Sequence, residues 1–200
     1  MGTRDEIVRA AATVMRAQGY ARATTKEIAR AAGYSEAALY KHFPDKTEIF
    51  LAVLTEEMPA LHEVLAALPE RADTATLQET LTEVVTEALS FYIGSFPIAV
   101  SVFSSRELLT EHRSRLSARG LGPRHPIDQL ASYLELERDH GALRTDTDPR
   151  ALAALLFGAC FQEAFLINFA GERPDGKRLA ELAGRLVKTA LAPLLEHGQG

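Results

Sequence analysis

The sequence predicts an all-α protein, with an N-terminal three-helix helix-turn-helix head and a C-terminal helical bundle that dimerises through its last two helices. Three observations carry that expectation. Ala and Leu are abundant, Trp is absent and β-branched runs are scarce, a composition that favours helices. Apolar residues recur three and four apart along most of the chain. Finally, residues 24–46, TTKEIARAAGYSEAALYKHFPDK, read as two short helices around a tight turn. With 200 residues, 46% hydrophobic and 24% charged, the chain is long enough to bury a substantial core.

The first element is expected to open at a Thr3/Glu6 capping box, bury Ile7, Ala10, Ala11, Val14 and Met15, and end at Gly19. Thr24 caps the next helix with Glu27 three residues on, and Ile28, Ala29 and Ala32 form its apolar stripe. Gly33 supplies the turn, Ser35 caps the following helix, and Leu39 and Phe43 share a face. A small Ala29, then Gly33, then an apolar Leu39 is helix-turn-helix spacing: close approach, turn, and a plug for the angle. Pro44-Asp45 then starts a helix at Lys46 carrying Ile49, Phe50, Val53 and Leu54, which continues past Pro59 with a kink. The expected boundary sets a helix-turn-helix domain at 1–46 and a helical, dimerising body at 47–200, which the resemblance given below makes a DNA-binding and a ligand-binding domain.

Residues 66–73 read as a loop and 76–94 as an amphipathic helix. Pro97 is expected to restart a helix that turns polar near Arg106 and ends by Gly120. Residues 127–140 form another helix before a loop at 141–147. Asp148-Pro149 opens the most apolar helix, 149–169, which needs cover on both sides because it is apolar nearly all round. Leu179, Leu182, Ala183, Leu186, Val187, Ala190, Leu191 and Leu194 give the last helix a broad stripe, with Pro193 ending it. Helices 149–169 and 177–195 offer more apolar surface than one bundle covers, so pairing with a second copy predicts a homodimer.

The string TTKEIARAAGYSEAALYKHFPDKTEIF, behind a helix ending Gly19-Tyr20, resembles the TetR family of bacterial transcriptional regulators. Ala38-Leu39-Tyr40, His42-Phe43 and Lys46 are its most specific part, and the match runs over roughly 5–54. The body resembles the family only in style. Tyr34 departs from the family's usual smaller aliphatic residue, which suggests that it reaches a phosphate or base as well as filling the turn. The resemblance implies a ligand-responsive regulator, a repressor, that binds a palindromic double-stranded DNA operator as a dimer and is released by a small hydrophobic effector. Tyr40, His42 and Lys46 are the phosphate candidates, with Thr24 and Thr25 at the first helix start. Ser35, Glu36, Ala37 and Lys41 are placed to reach base edges, Glu36 accepting from cytosine N4 and Ala37 touching a thymine methyl. Blander roles compete: Ser35 as a cap alone, Glu36 as a helix-start charge, Tyr40 as packing.

In the body, Phe91, Tyr92, Phe96, Phe103, Tyr133, Phe157, Phe161 and Glu163 are the effector-pocket candidates, although an aromatic stripe at helical spacing more often builds core. Glu163 in so apolar a helix needs a partner, either a cationic lipophilic ligand or an Arg. Charge divides along the chain: residues 1–50 hold eight Lys/Arg against six Asp/Glu, and the remainder fourteen against twenty-one. That asymmetry suits a polyanion-binding head on a body that does not bind one. Enzyme readings find little support. Glu137-x-x-His140 has di-iron spacing but no second copy, and reads as a solvated helix end. Cys160 reads as a buried structural thiol, and no phosphate loop, nucleophile elbow or zinc spacing occurs. No cofactor or metal is expected. The N-terminus lacks a signal-peptide core, and the longest apolar run, 151–161, is shorter than the ~18 residues of a membrane span, so a cytoplasmic chain with no membrane partner is expected. A helical binding or scaffold protein that keeps the head for protein contact or nonspecific DNA association is the alternative reading.

Overall fold

The structure is a computed structural model that describes residues 2–56, 59–71, 75–118, 120 and 122–194. Every regular element among them is helical. The order is α1 (Thr3–Arg22), α2 (Thr25–Ala31), α3 (Glu36–Leu39), α4 (Lys46–Glu56), α5 (Pro59–Ala66), α6 (Leu68–Arg71), α7 (Leu77–Phe103), α8 (Arg106–Ala118), α9 (His125–Asp139), α10 (Pro149–Ala170) and α11 (Gly176–Leu191). The passage between α4 and α5, the end of the predicted 66–73 loop and the last residue of the predicted 177–195 helix lie outside the described residues.

The chain forms two compact units, one from residues 1–59 with 94–120 and the other from 60–93 with 121–200. The first unit buries Ile7, Ala11, Met15, Ile28, Ala29, Leu39, Phe43, Ile49 and Phe50, together with Ile98, Val102 and Leu108 from α7 and α8. The second is built on Leu81, Val84, Val85, Leu89, Leu130, Leu134, Leu152, Leu156, Phe157, Cys160, Ala183 and Val187.

Local signals explain most helix ends. Thr24 caps α2, its Oγ1 accepting from the Glu27 amide (3.2 Å) while a Glu27 carboxylate oxygen accepts from the Thr24 amide (3.1 Å). Ser35, Asp148 and Asp175 cap α3, α10 and α11, each accepting from the backbone amide three residues on. Four expectations need correcting. Helix α1 is capped at Gly2, whose amide donates to Asp5, and not at Thr3/Glu6. Gly19 kinks α1, with φ 78°, and the helical turn resumes to Arg22. The stretch read as a loop after residue 66 contains the short α6. The helix expected to restart at Pro97 and run to Gly120 is instead divided, because α7 passes through Pro97 and Ser105 then starts α8 with its hydroxyl toward the Leu108 amide.

The Pro97 result has a physical cause. Proline has no N–H for the Ile93 carbonyl one turn back, which ordinarily breaks a helix. Here Asn168 on α10 donates its side-chain amide to that carbonyl at 3.1 Å, replacing the missing bond. Helices α7 and α10 are also long and apolar enough to cross a membrane by length and composition, beyond what the unbroken apolar runs suggested. Both contribute to packed cores, and α10 carries Arg150, Gln162 and Glu163 along its length.

Candidate functional site

The site is assembled from the turn outward. Gly33 takes φ 79°, a conformation that costs a side-chain-bearing residue dearly, and the Tyr34 amide returns to the Ala29 carbonyl at 2.9 Å. Leu39 is fully buried in the angle of the two helices and Phe43 is buried beside it. α3 is a single α-helical turn; residues 40–42 continue it as tight turns, with His42 N–H reaching the Leu39 carbonyl at 3.0 Å. This brevity leaves Ser35, Ala37, Tyr40, Lys41 and His42 exposed on one short projection, with Glu36 half-buried. Thr24 is exposed and Thr25 half-buried at the start of α2.

Three of these side chains have internal partners that the sequence did not disclose. The Tyr34 hydroxyl donates to Glu6 of α1, tying the turn to the first helix. Lys46 donates to the backbone carbonyls of Tyr20 (2.9 Å) and Ala23 (3.0 Å), with its ammonium 4.3 Å from the centre of the Tyr20 ring. Burial pushes its pKa below the ordinary lysine value. An ammonium has three donors, so these two bonds use all but one of them. Lys46→Met is therefore expected to lower head stability by about 1–2 kcal/mol in urea melts, besides weakening DNA binding; an unchanged midpoint would show that the two carbonyls do not need it. The third group is Glu36, whose Oε1 accepts from the Thr25 hydroxyl at 2.6 Å, while Thr25 Oγ1 also lies 3.3 Å from the Tyr40 hydroxyl.

Of the body candidates, Phe96 and Phe103 belong to the first unit and the others to the second. Phe103 is exposed. Phe91 and Tyr92 meet edge to face at 5.1 Å, and Tyr92 meets Phe161 the same way at 5.8 Å. Phe157 is core, and Glu163 is half-buried, not enclosed. Burial pushes the Tyr92 phenol and the Cys160 thiol each up to about 12.

Tyr133 marks a different feature. It is buried, as are Thr80 and Glu137, and burial pushes its phenol up to about 12, with both neighbours close enough to influence it. Tyr133 can hydrogen-bond to both, so the three side chains form one small buried polar cluster. Glu137 is thus no solvated helix end: it is 5% exposed. Its spacing carried the signal, because Leu130, Tyr133, Leu134 and Glu137 follow the helical period, as Leu77, Thr80, Leu81 and Val84 do on α7. Among the described residues, no cluster of His, Cys, Asp and Glu has the arrangement of a metal site.

Along α10, Leu155, Phe161, Phe165, Leu166 and Phe169 remain exposed, Leu155 at 70% and Phe169 at 83%. The helix read as needing cover on both sides is covered on one.

Comparison with known proteins agrees with this arrangement. Residues 7–53 match the family described as "Bacterial regulatory proteins, tetR family". Over nearly the full chain the fold is similar to that of a chain described as a TetR-family transcriptional regulator from Mesorhizobium loti MAFF303099 (TM-score 0.75, 20% identity, 96% of both chains). It is also similar to FadR from Bacillus subtilis solved in complex with stearoyl-CoA (0.68, 20%, 94% of this chain and 97% of that one). A third is SmeT, the repressor of the Stenotrophomonas maltophilia multidrug efflux pump SmeDEF, in its triclosan complex (0.66, 24%, 99% and 94%). Residues 7–53 thus carry the sequence of the TetR family of bacterial regulatory proteins, and the chain as a whole has the fold of TetR-family structures.

Proposed function

We propose that this TetR-family transcriptional regulator is a repressor that binds a palindromic operator as a homodimer and is released by a small, largely apolar effector. The observation that carries the DNA reading is the exposed projection of Ser35, Ala37, Tyr40, Lys41 and His42 over the corner plugged by Leu39. Tyr40, His42, Thr24, Thr25 and the remaining Lys46 donor serve phosphates; Ser35, Glu36, Ala37 and Lys41 serve base edges. Tyr34 is assigned a bracing role through Glu6, and its hydroxyl keeps an acceptor site only. The DNA-binding segment is taken as 1–46 and the remainder, 47–200, as effector-binding and dimerising, with a DNA partner placing the chain in the cytoplasm. Selection from a random duplex pool tests this: enrichment of a palindrome supports it, and no enrichment favours a helical scaffold that uses its head for protein contact.

The dimer reading rests on the open apolar face of α10, to be paired with the same face of a second copy. For the effector, FadR and SmeT supply the precedent of ligands held by this fold, and the Thr80–Tyr133–Glu137 cluster supplies the chemistry. Two hydroxyls and a carboxylate set among apolar side chains offer an apolar guest polar groups to hydrogen-bond with. An amine or alcohol on an apolar body fits; a carboxylate meets Glu137. Glu137→Leu is expected to abolish release of DNA by such a molecule, read by anisotropy on the selected duplex. Unchanged release would leave the effector elsewhere.

A further inference from the structure

The contact among Thr25, Glu36 and Tyr40 has a direction. Thr25 has one hydroxyl proton, and it goes to Glu36 Oε1 at 2.6 Å. The 3.3 Å contact between Thr25 Oγ1 and the Tyr40 hydroxyl must then take its proton from Tyr40. The protons run from Tyr40 to Thr25 to Glu36. A phosphate oxygen only accepts, so neither hydroxyl can serve a phosphate while this chain stands. A phosphate at that position would also lie beside the Glu36 carboxylate, and like charges repel there. The carboxylate takes the partners that a phosphate needs.

We infer that Glu36 withholds the Thr25 and Tyr40 hydroxyls from the DNA backbone, and gives them up when a donor on a base edge draws its side chain out of that contact. In the major groove the fitting donor is the cytosine N4 amino group, since adenine N6 is accompanied by an acceptor at N7 that a carboxylate cannot use. Backbone affinity thereby becomes conditional on sequence, and Glu36 acts as a specificity-determining residue by penalising wrong sites more than by rewarding the right one. The inference rests on the reading that the head binds DNA. Ser35 holds the start of α3 by its own bond to the Ala38 amide (3.2 Å), so removing Glu36 leaves that helix capped.

Fluorescence anisotropy on two labelled duplexes, one random in sequence and one enriched by selection, tests this. Glu36→Ala is expected to bind the random duplex about fivefold tighter, the scale of an exposed charge interaction, and the enriched duplex no tighter. The gain should disappear in a Thr25→Val/Tyr40→Phe background, where no hydroxyl remains to be freed. A gain that persists there means that removing any negative charge suffices, and overturns the inference. So does unchanged or weaker binding to the random duplex. Circular dichroism confirms that each variant folds, and Glu36→Met, which keeps a similar length but has no oxygen to accept the Thr25 proton, replaces the alanine variant if that one does not. A wild type that binds neither duplex sinks the DNA reading itself, a separate outcome.

Discussion

Leu39→Ala is expected to cost the head about 3 kcal/mol and, with that, most of its DNA affinity. Leu39 is fully buried among Ile28, Ala29 and Phe43, where it sets the angle between α2 and α3. Those helices have seven and four residues, far too few to persist alone in water. Their geometry therefore depends on tertiary packing, and a cavity at Leu39 loosens the projection that carries Tyr40, Lys41 and His42. Urea unfolding followed by circular dichroism reads the stability, and anisotropy reads the affinity. Ala37→Ser, on the exposed side, should change stability by less than about 0.5 kcal/mol. A Leu39→Ala protein as stable as its parent would mean that the corner is held by something other than this plug.

The second large effect concerns assembly. Leu155→Arg with Leu166→Arg is expected to yield a monomer, and to lower operator affinity by about 100-fold or more through loss of the linked second head. Both side chains lie on the open face of α10, exposed at 70% and 45%, so arginines there cost the single chain little. Placed against a second copy they would bury unpaired cations across the interface. Sedimentation equilibrium gives the oligomeric state. A variant that remains dimeric would move the interface away from α10.

The helix-turn-helix was legible because its determinants are local. Thr24 with Glu27, Ser35 and Gly33 act within a few residues of themselves, and the structure places each in the expected role. What stayed hidden depends on partners distant in sequence. Pro97 reads as a helix break unless Asn168, seventy-one residues later, is known to donate to the carbonyl that the proline abandons. Lys46 reads as a free cation until the carbonyls of Tyr20 and Ala23 are brought to it. Glu137 was misread for another reason. Its position before His140 and Gly141 suggested a wet helix end, although its period put it on the apolar face with Leu130 and Leu134. Identity of neighbours outweighed periodicity in that reading, and the period was the better guide.

The effector cluster shows the same limit. Aromatic residues chosen by type fell partly in the core, as Phe157 did, and partly on the surface, as Phe103 did. The buried polar cluster of Thr80, Tyr133 and Glu137 is a property of packing and not of composition.

The central claim is that the exposed projection on α3 reads base sequence. The ratio of affinities for a selected palindrome and a scrambled duplex of equal length, both measured by anisotropy at physiological salt, tests it most directly. The account predicts a ratio of about a thousand or more, with both affinities falling steeply as salt rises. A ratio near one, whatever the absolute affinity, would contradict it.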